Sequence, residues 1–357
     1  MNAPTVYSVA RRIGLCLFGL IIPLIGVSAQ ESISLDATQS CSGCRPGLIL
    51  TAELDFERMN ASPNYDFSFA SAGAGGPFAV SSSTFPGEIA LFDGEGSFLR
   101  NVVRKGQGPG EYSGLITLRS GRGSIYAFDT GNRRFHRLNH DGTVAVSTGP
   151  TAGTRDWRVI GEDRVLSVGG HPSGGQVYAV SVIDLSTGEQ EFAVPLTPDE
   201  VEDPARSQPL VAEGPAGFAT IAHRFGGYIY RISLQTLEVD WEGQITLEGM
   251  PEAPGLRPLN SQPPPKQIAG LSLSPDGDLW VFTWGPDERW GPGRAFDGAS
   301  LHELFDTTIF VLDRQLQLRA VQTFDFLVIP GDNGAAATYL DSEDHVGVFR
   351  FWLQGAG

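Results

Sequence analysis

Short apolar runs recur along the chain, separated by polar turns rich in Gly, Asp and Ser. They come in pairs, each a strand-like run, a tight turn and a second strand-like run. The first pair is 89–93 (IALFD) and 97–102 (SFLRNV), and the second is 135–139 (FHRLN) and 143–146 (TVAV). The third is 180–184 (VSVID) and 192–194 (FAV), and the fourth 229–233 (IYRIS) and 237–241 (LEVDW). A fifth, 309–313 (IFVLD) and 316–321 (LQLRAV), is followed by the half-unit 346–352 (VGVFRFW). Asp93, Asn139, Asp184, Ser233 and Asp313 hold equivalent places at intervals of 46, 45, 49 and 80 residues. The last interval is one repeat lengthened by two insertions.

Another strand candidate lies upstream of each pair, as at 124–128 (SIYAF), 164–168 (RVLSV) and 279–282 (LWVF), and most have a further apolar run before them. Four strands in about 45 residues, six times over, predict an all-β chain folded as a six-bladed β-propeller of four-stranded antiparallel blades. A β-sandwich with extra strands is the alternative. The last unit is one strand short, and a spare strand, 48–56 (LILTAELDF), stands near the start. Pairing that strand into the last blade would close the ring and remove exposed edges. The propeller is expected to span 47–357.

Successive connections in a blade alternate between two faces. With strands A to D named from the axis outward, A–B and C–D turns share one face and are short, as at 161–163, 214–217, 274–277, 94–96 and 140–142. The B–C loops and blade-to-blade links share the other face and are long: 105–113, 147–156, 169–175, 195–208, 243–265 and 284–306. Loops on a rigid scaffold are where binding resides, so function is expected on the second face.

Composition supports the β assignment and bounds the compartment. The chain has 357 residues, 41% hydrophobic and 18% charged, with 45 Gly and 24 Pro, too many helix breakers for a helical bundle. Residues 1–29 read as a signal peptide: Arg11 and Arg12 precede an apolar run at 13–27, and Val27-Ser28-Ala29 offers a small-x-small cleavage pattern. That run contains Pro23 and is shorter than the ~20 residues of a spanning helix. The chain is therefore expected to be exported, to the periplasm or beyond the cell, with no membrane insertion after cleavage.

Losing the two leader arginines takes the formal charge from −16 to −18. Such a surface repels phosphate backbones, so nucleic acid is excluded as a partner. Residues 30–46 form an N-terminal segment carrying Cys41 and Cys44. In an exported protein this pair is expected to form a local disulfide, since no helix start follows it to support redox chemistry.

The second repeat carries a more specific pattern. Gly106-Gln-Gly-Pro-Gly-Glu-Tyr112 is followed by Asp129-Thr-Gly-Asn132-Arg-Arg134 and then Asp141-Gly142. Over these roughly 40 residues the chain resembles exported bacterial six-bladed propellers related to the NHL-repeat type. The resemblance implies the fold. It does not imply a function, because such propellers serve as binding modules, scaffolds and a minority of enzymes. Asp129 and Arg134 are expected to be structural, joining neighbouring strands through a charge-assisted hydrogen bond.

Catalytic signatures are weak. His171, His223 and His302 fall in B–C loops and would suit zinc with an open position, but no HxH or HExxH spacing supports this. A lactonase-like calcium site would draw on Glu111, Asn132, Asp156 and Asp287, which no motif groups. There is no Gly-x-Ser-x-Gly elbow.

The expected function is therefore a non-catalytic binding or scaffold propeller with no cofactor, taking a protein, peptide or carbohydrate ligand, and a monomer. Its ligand face would include Glu111, Tyr112, Asn132, Arg133, His171, His223, Arg224, Trp284, Trp290, Arg294 and His302. Accessible rings at Tyr112, Trp284 and Trp290 would support it. The alternative is a calcium- or zinc-dependent hydrolase or lyase with an axial pocket.

Overall fold

The computed structural model describes residues 31–34, 45–56, 67–73, 76–151, 153–170, 178–195, 209–214, 217–225, 227–246, 266–274, 276–286, 305–332, 334–339 and 345–354. The leader, Cys41, Cys44, His171, Asp287, Trp290, Arg294 and His302 lie outside them.

Two strands precede the first blade, β1 (Glu31–Ser34) and β2 (Arg45–Asp55). Blade 1 holds β3 (Ser68–Ser71), β4 (Phe78–Ser81), β5 (Glu88–Phe92) and β6 (Phe98–Val103). Blade 2 holds β7 (Ile116–Gly121), β8 (Ser124–Asp129), β9 (Arg134–Leu138) and β10 (Val144–Ser147). Blade 3 is β11 (Thr154–Val159), β12 (Arg164–Gly170), β13 (Tyr178–Asp184) and β14 (Gln190–Pro195). Blade 4 is β15 (Pro209–Glu213), β16 (Phe218–His223), β17 (Tyr228–Ser233) and β18 (Val239–Thr246). Blade 5 is β19 (Gln267–Leu273), β20 (Leu279–Pro286), β21 (Phe305–Leu312) and β22 (Leu318–Phe324). Blade 6 takes β23 (Ile329–Pro330), β24 (Ala335–Tyr339) and β25 (His345–Gln354) from the end of the chain and β2 from its start.

The order β2-β25-β24-β23 places β2 as the outermost strand of the last blade, in register from Arg45↔Gln354 to Asp55↔His345. The ring closes as the sequence predicts. A feature the sequence did not announce is β1, which pairs parallel to β18 and adds a fifth strand to blade 4.

Stacked blades bury their sheet faces against one another, so the apolar interior is a set of seams. The described residues form six hydrophobic clusters, and these fall on the six interfaces between neighbouring blades. At the closing seam Leu54 and Phe56 pack with Phe69, Val80 and Phe92 of blade 1, and the Phe56 and Phe92 ring centroids lie 4.8 Å apart.

The repeat is punctuated by one kind of turn. Asp93 Oδ1 accepts the Glu95 and Ser97 N–H groups at 3.0 and 2.9 Å, and Asp313 Oδ1 accepts those of Gln315 and Gln317 at 2.8 and 2.9 Å. Asp184 does the same for Ser186 and Thr187, and Ser233 for Gln235 and Thr236 through its hydroxyl. A short polar side chain that satisfies the turn's own amides fixes each of these four C–D hairpins.

The innermost strands face the axis with an edge that has no partner strand. Their amides and carbonyls need other partners. Ser81 Oγ donates to the Ile116 carbonyl at 2.6 Å, Ser68 Oγ accepts from Leu118 N–H at 2.8 Å, and Thr307 Oγ1 accepts from Val328 N–H at 2.8 Å. Toward the short-turn face this capping is done by charged side chains.

Candidate functional site

The motif of blade 2 folds into a clamp. Asp129, fully buried, accepts the Ser113 N–H on Oδ2 at 2.9 Å and those of Gly114 and Gly131 on Oδ1 at 3.1 and 3.0 Å. Asn132 Nδ2 donates to the carbonyls of Gly106 and Glu111 at 3.0 and 2.9 Å, and its Oδ1 accepts the Ser113 hydroxyl at 2.8 Å. Glu111 Oε2 accepts the Gly108 N–H at 2.8 Å. The link from blade 1 to blade 2 is thus pinned to the β8–β9 loop. The expected hydrogen bond between Asp129 and Arg134 is not formed. They are register partners, but the carboxylate is taken up by backbone amides, and Arg134 Nε is buried without a hydrogen-bond partner.

At the axis, Asp156 Oδ1 receives Arg119 Nη2 at 2.6 Å and Arg158 Nη1 at 3.0 Å, while its Oδ2 accepts the Val211 N–H at 2.8 Å. Arg158 also reaches Asp332 Oδ1 through Nε at 3.1 Å and the Leu271 carbonyl through Nη2 at 3.1 Å. Asp332 Oδ2 accepts the Ser120 N–H at 2.8 Å, and Ser120 Oγ accepts the Ser71 N–H at 2.8 Å. Every blade contributes at least one partner: Ser71, Arg119 with Ser120, Asp156 with Arg158, Val211, Leu271 and Asp332. The cluster spans the inner strands towards their short-turn ends, because Asp332 sits in the β23–β24 turn. Burial opposes ionisation of Asp156, but the Arg158 and Arg119 guanidiniums and the Val211 amide outweigh it and hold the carboxyl below its usual range. No oxygen of Asp156 or Asp332 lacks a donor, so neither carboxylate is poised as a base or a metal ligand.

The expected ligand-face residues divide. Tyr112 is a correction: it is fully buried in the seam between blades 1 and 2, its ring 5.1 Å from His136 and edge-on to it. Burial raises its hydroxyl pKa strongly. Trp284 is partly buried, packs at the seam of blades 5 and 6, and donates Nε1–H to the Val328 carbonyl at 3.0 Å. Glu111 and Asn132 are engaged in the clamp. His223 is buried at the end of β16, its ring edge-on to Tyr230 at 5.6 Å. Arg133 is exposed, with a positive φ of 54°, and its carbonyl accepts the Thr151 N–H at 2.7 Å.

Arg224 is different. It begins the β16–β17 connection on the long-loop face, and its carbonyl accepts the Ile268 N–H of the blade 5 inner strand at 3.0 Å. Its Nε is shut off from solvent and has no hydrogen-bond partner. Burial pulls its pKa down and the field of Asp156 partly offsets this.

Among the described residues no three of His, Cys, Asp and Glu gather as a metal site. Nor, among the described residues, is any helix long and apolar enough to cross a membrane. The described loops do not divide by face as cleanly as the sequence suggests, because on the long-loop face the β8–β9, β16–β17 and β22–β23 connections are only a few residues long. A cavity of about 510 Å³ opens on the short-turn face, lined by Arg122, Ile160, Arg164, Phe218 and Gln235. Both arginines are exposed to water.

No family model and no curated protein sequence matches the chain. Solved structures do. A member of the DUF4221 family from Bacteroides vulgatus is similar with a TM-score of 0.53 and 13% identity, over 87% of this chain and 99% of its own. A Bacteroides fragilis protein, whose name marks it as a candidate exported protein, is similar with a TM-score of 0.50 and 12% identity, over 87% and 95%. At these identities the likeness is one of fold, and the chain is a six-bladed β-propeller similar in architecture to these two Bacteroides proteins.

Proposed function

We propose that the chain is an exported, non-catalytic binding propeller that takes its ligand at the long-loop face. The observation that carries this reading is the saturated axial cluster. Asp156 and Asp332, carboxylates of the inner strands and their turns, have all their oxygens committed to Arg119, Arg158 and the amides of Val211 and Ser120. Such a cluster locks the blades together toward the short-turn side and offers no free acid, base or nucleophile. Export rests on the leader-like residues 1–29 and on the similarity to a candidate exported protein. A protein, peptide or carbohydrate is the ligand class, and Arg133 is an exposed side chain of the expected ligand set suited to meet it.

The test is a peptide and glycan array probed with the full chain and with Arg133→Ala, alongside metal content and melting with and without EDTA. Array binding weakened at least about tenfold by Arg133→Ala, with melting indifferent to EDTA, supports the reading. A stoichiometric metal whose removal lowers the melting temperature would favour the metal-dependent hydrolase or lyase, through residues such as His171 and His302.

A further inference from the structure

The cavity on the short-turn face lies over the end of the seam between blades 3 and 4. Ile160 and Leu234, both half-buried, pack against the core of that seam and line the opening. Phe218 completes an apolar floor; Arg231 lies over its ring at 5.3 Å and is itself bound to Asp240 at 2.6 Å. Tight turns make up the walls. The Arg164 carbonyl accepts the Ile160 and Gly161 N–H groups at 3.0 and 3.2 Å, and the Gly217 carbonyl accepts the Leu234 N–H at 2.8 Å. A Cβ added at Gly217 would meet no atom within 4 Å, so the space beside it is open. The volume of about 510 Å³ falls in the range of small-molecule sites, about 300–1,000 Å³, and exceeds what a lone ion needs.

Two guanidiniums border this floor. Arg122 comes from blade 2 and Arg164 from blade 3, and both are exposed. Neither side chain makes an ion pair or hydrogen bond among the described residues. The acids nearest in sequence are taken elsewhere: Arg137 holds Glu162 at 3.0 Å and Asp163 at 3.1 Å. The stretch 116–164 carries eight arginines against five acids, inside a chain whose formal charge is −16. Arg122 also stands at a φ of 50°, ahead of Gly123 at 76°, in a two-residue hairpin turn that Gly, Asn or Asp would fill with less strain.

We propose that this cavity binds an amphipathic organic anion, a carboxylate carried on an apolar or aromatic body. Arg122 and Arg164 take the charge, and Ile160, Phe218 and Leu234 take the body. Guanidinium groups match the planar carboxylate through two-donor edges. Apolar floor and cationic rim act together, so a bare anion gives up the burial and a neutral ring gives up the charge. The site lies on the face opposite the one that binds ligand in the reading above, and it stands independently of that reading.

The experiment titrates the full chain by calorimetry and follows its melting with phenylacetate and octanoate. Acetate, benzyl alcohol and inorganic phosphate are run beside them at matched ionic strength, for the wild type, Arg122→Gly and Arg164→Gln. The expected result is a saturable rise in melting temperature with both organic anions, roughly 3–6 °C at a hundredfold excess over Kd. Acetate, benzyl alcohol and phosphate should bind at least about tenfold more weakly, and each variant should weaken phenylacetate binding by at least about tenfold. Glycine suits the backbone at position 122, so Arg122→Gly should melt no lower than the wild type without ligand, and its loss of binding is then not a loss of folding. If Arg164→Gln does not fold, Arg122→Gly decides. Equal phenylacetate affinity in all three proteins would overturn the site, as would no saturable binding of either organic anion. Acetate, phosphate or benzyl alcohol binding as tightly as phenylacetate would overturn the ligand class.

Discussion

The guanidinium of Arg158 in blade 3 meets the carboxylate of Asp332 in blade 6 at 3.1 Å, across the axis of the ring. Propeller blades touch mainly their immediate neighbours, so a direct tie between non-adjacent blades is a cross-brace. Asp156 is its hub, since it holds Arg158 and Arg119 together. Asp156→Asn removes the charge while keeping the shape and leaves the two guanidiniums of Arg119 and Arg158 facing one carboxylate, Asp332, in place of two. A loss of about 3–5 kcal/mol is expected in urea unfolding, in line with breaking a buried ion pair. Retention of wild-type stability would mean that the cluster contributes nothing net.

The buried His136 makes stability depend on pH. Burial is the chief cause that lowers its pKa, from 6.5 to about 4, with Arg134 adding to the effect and Asp129 opposing it. The unfolded chain takes up this proton first, so His136 leaves stability untouched above pH 6.5 and erodes it as pH falls toward 4. The accumulated loss is about 3 kcal/mol at pH 4. Asp156, whose pKa is depressed, keeps its contribution until the pH falls below the ordinary carboxylate range. Urea unfolding from pH 7 to pH 4 is expected to slope downward in the wild type and to flatten in His136→Leu.

Asn132 was a candidate for ligand contact, and its bonds to Gly106 and Glu111 make it a clamp residue. Asn132→Ala is expected to lower stability by about 1–2 kcal/mol, one or two net hydrogen bonds. Array binding per folded molecule should be unchanged. A loss of binding with unaltered melting would reverse the assignment.

Gly96 sits in the β5–β6 turn at φ +96°, and a Cβ there would run into the backbone carbonyl of Glu53 in β2. Gly96→Ala therefore strains the turn and pushes at the strand that closes the ring. A loss of about 2–4 kcal/mol is expected by thermal and urea melts. The contrasting control is Gly188→Ala, where φ is +75° but no atom lies within 4 Å of the new methyl, and the cost should be limited to backbone strain of about 1 kcal/mol.

The fold was legible because its signals are local. Asp93, Asp184, Ser233 and Asp313 mark the same turn through bonds to amides two to four residues away, so each repeat carries its own punctuation. The closing strand was legible by subtraction, from one strand lacking at the end and one spare at the start. The axial cluster was not, because Arg119, Asp156, Arg158 and Asp332 are spread over three blades and obey no spacing rule. Asp156 was noticed only as a possible calcium ligand, and its two arginines preclude that role. Tyr112 was misread because an aromatic next to a glycine-rich loop gives no clue to its direction, and the Asp129 clamp turns the loop inward. β1 was missed because four residues are too few to show a period.

The pairing of β2 with β25 also sets the order in which the molecule can be completed. Asp55 waits for His345, and Arg45 for Gln354, so contacts separated by 290 to 309 residues are among the last to form. The first five blades can assemble while Leu54 and Ala52 still lack their β25 partners Val346 and Val348. High contact order of this kind slows the final step and leaves a sticky, half-built sheet exposed meanwhile. The chain's vulnerable moment is therefore the interval before residue 345 emerges, when a holding chaperone would have most to protect.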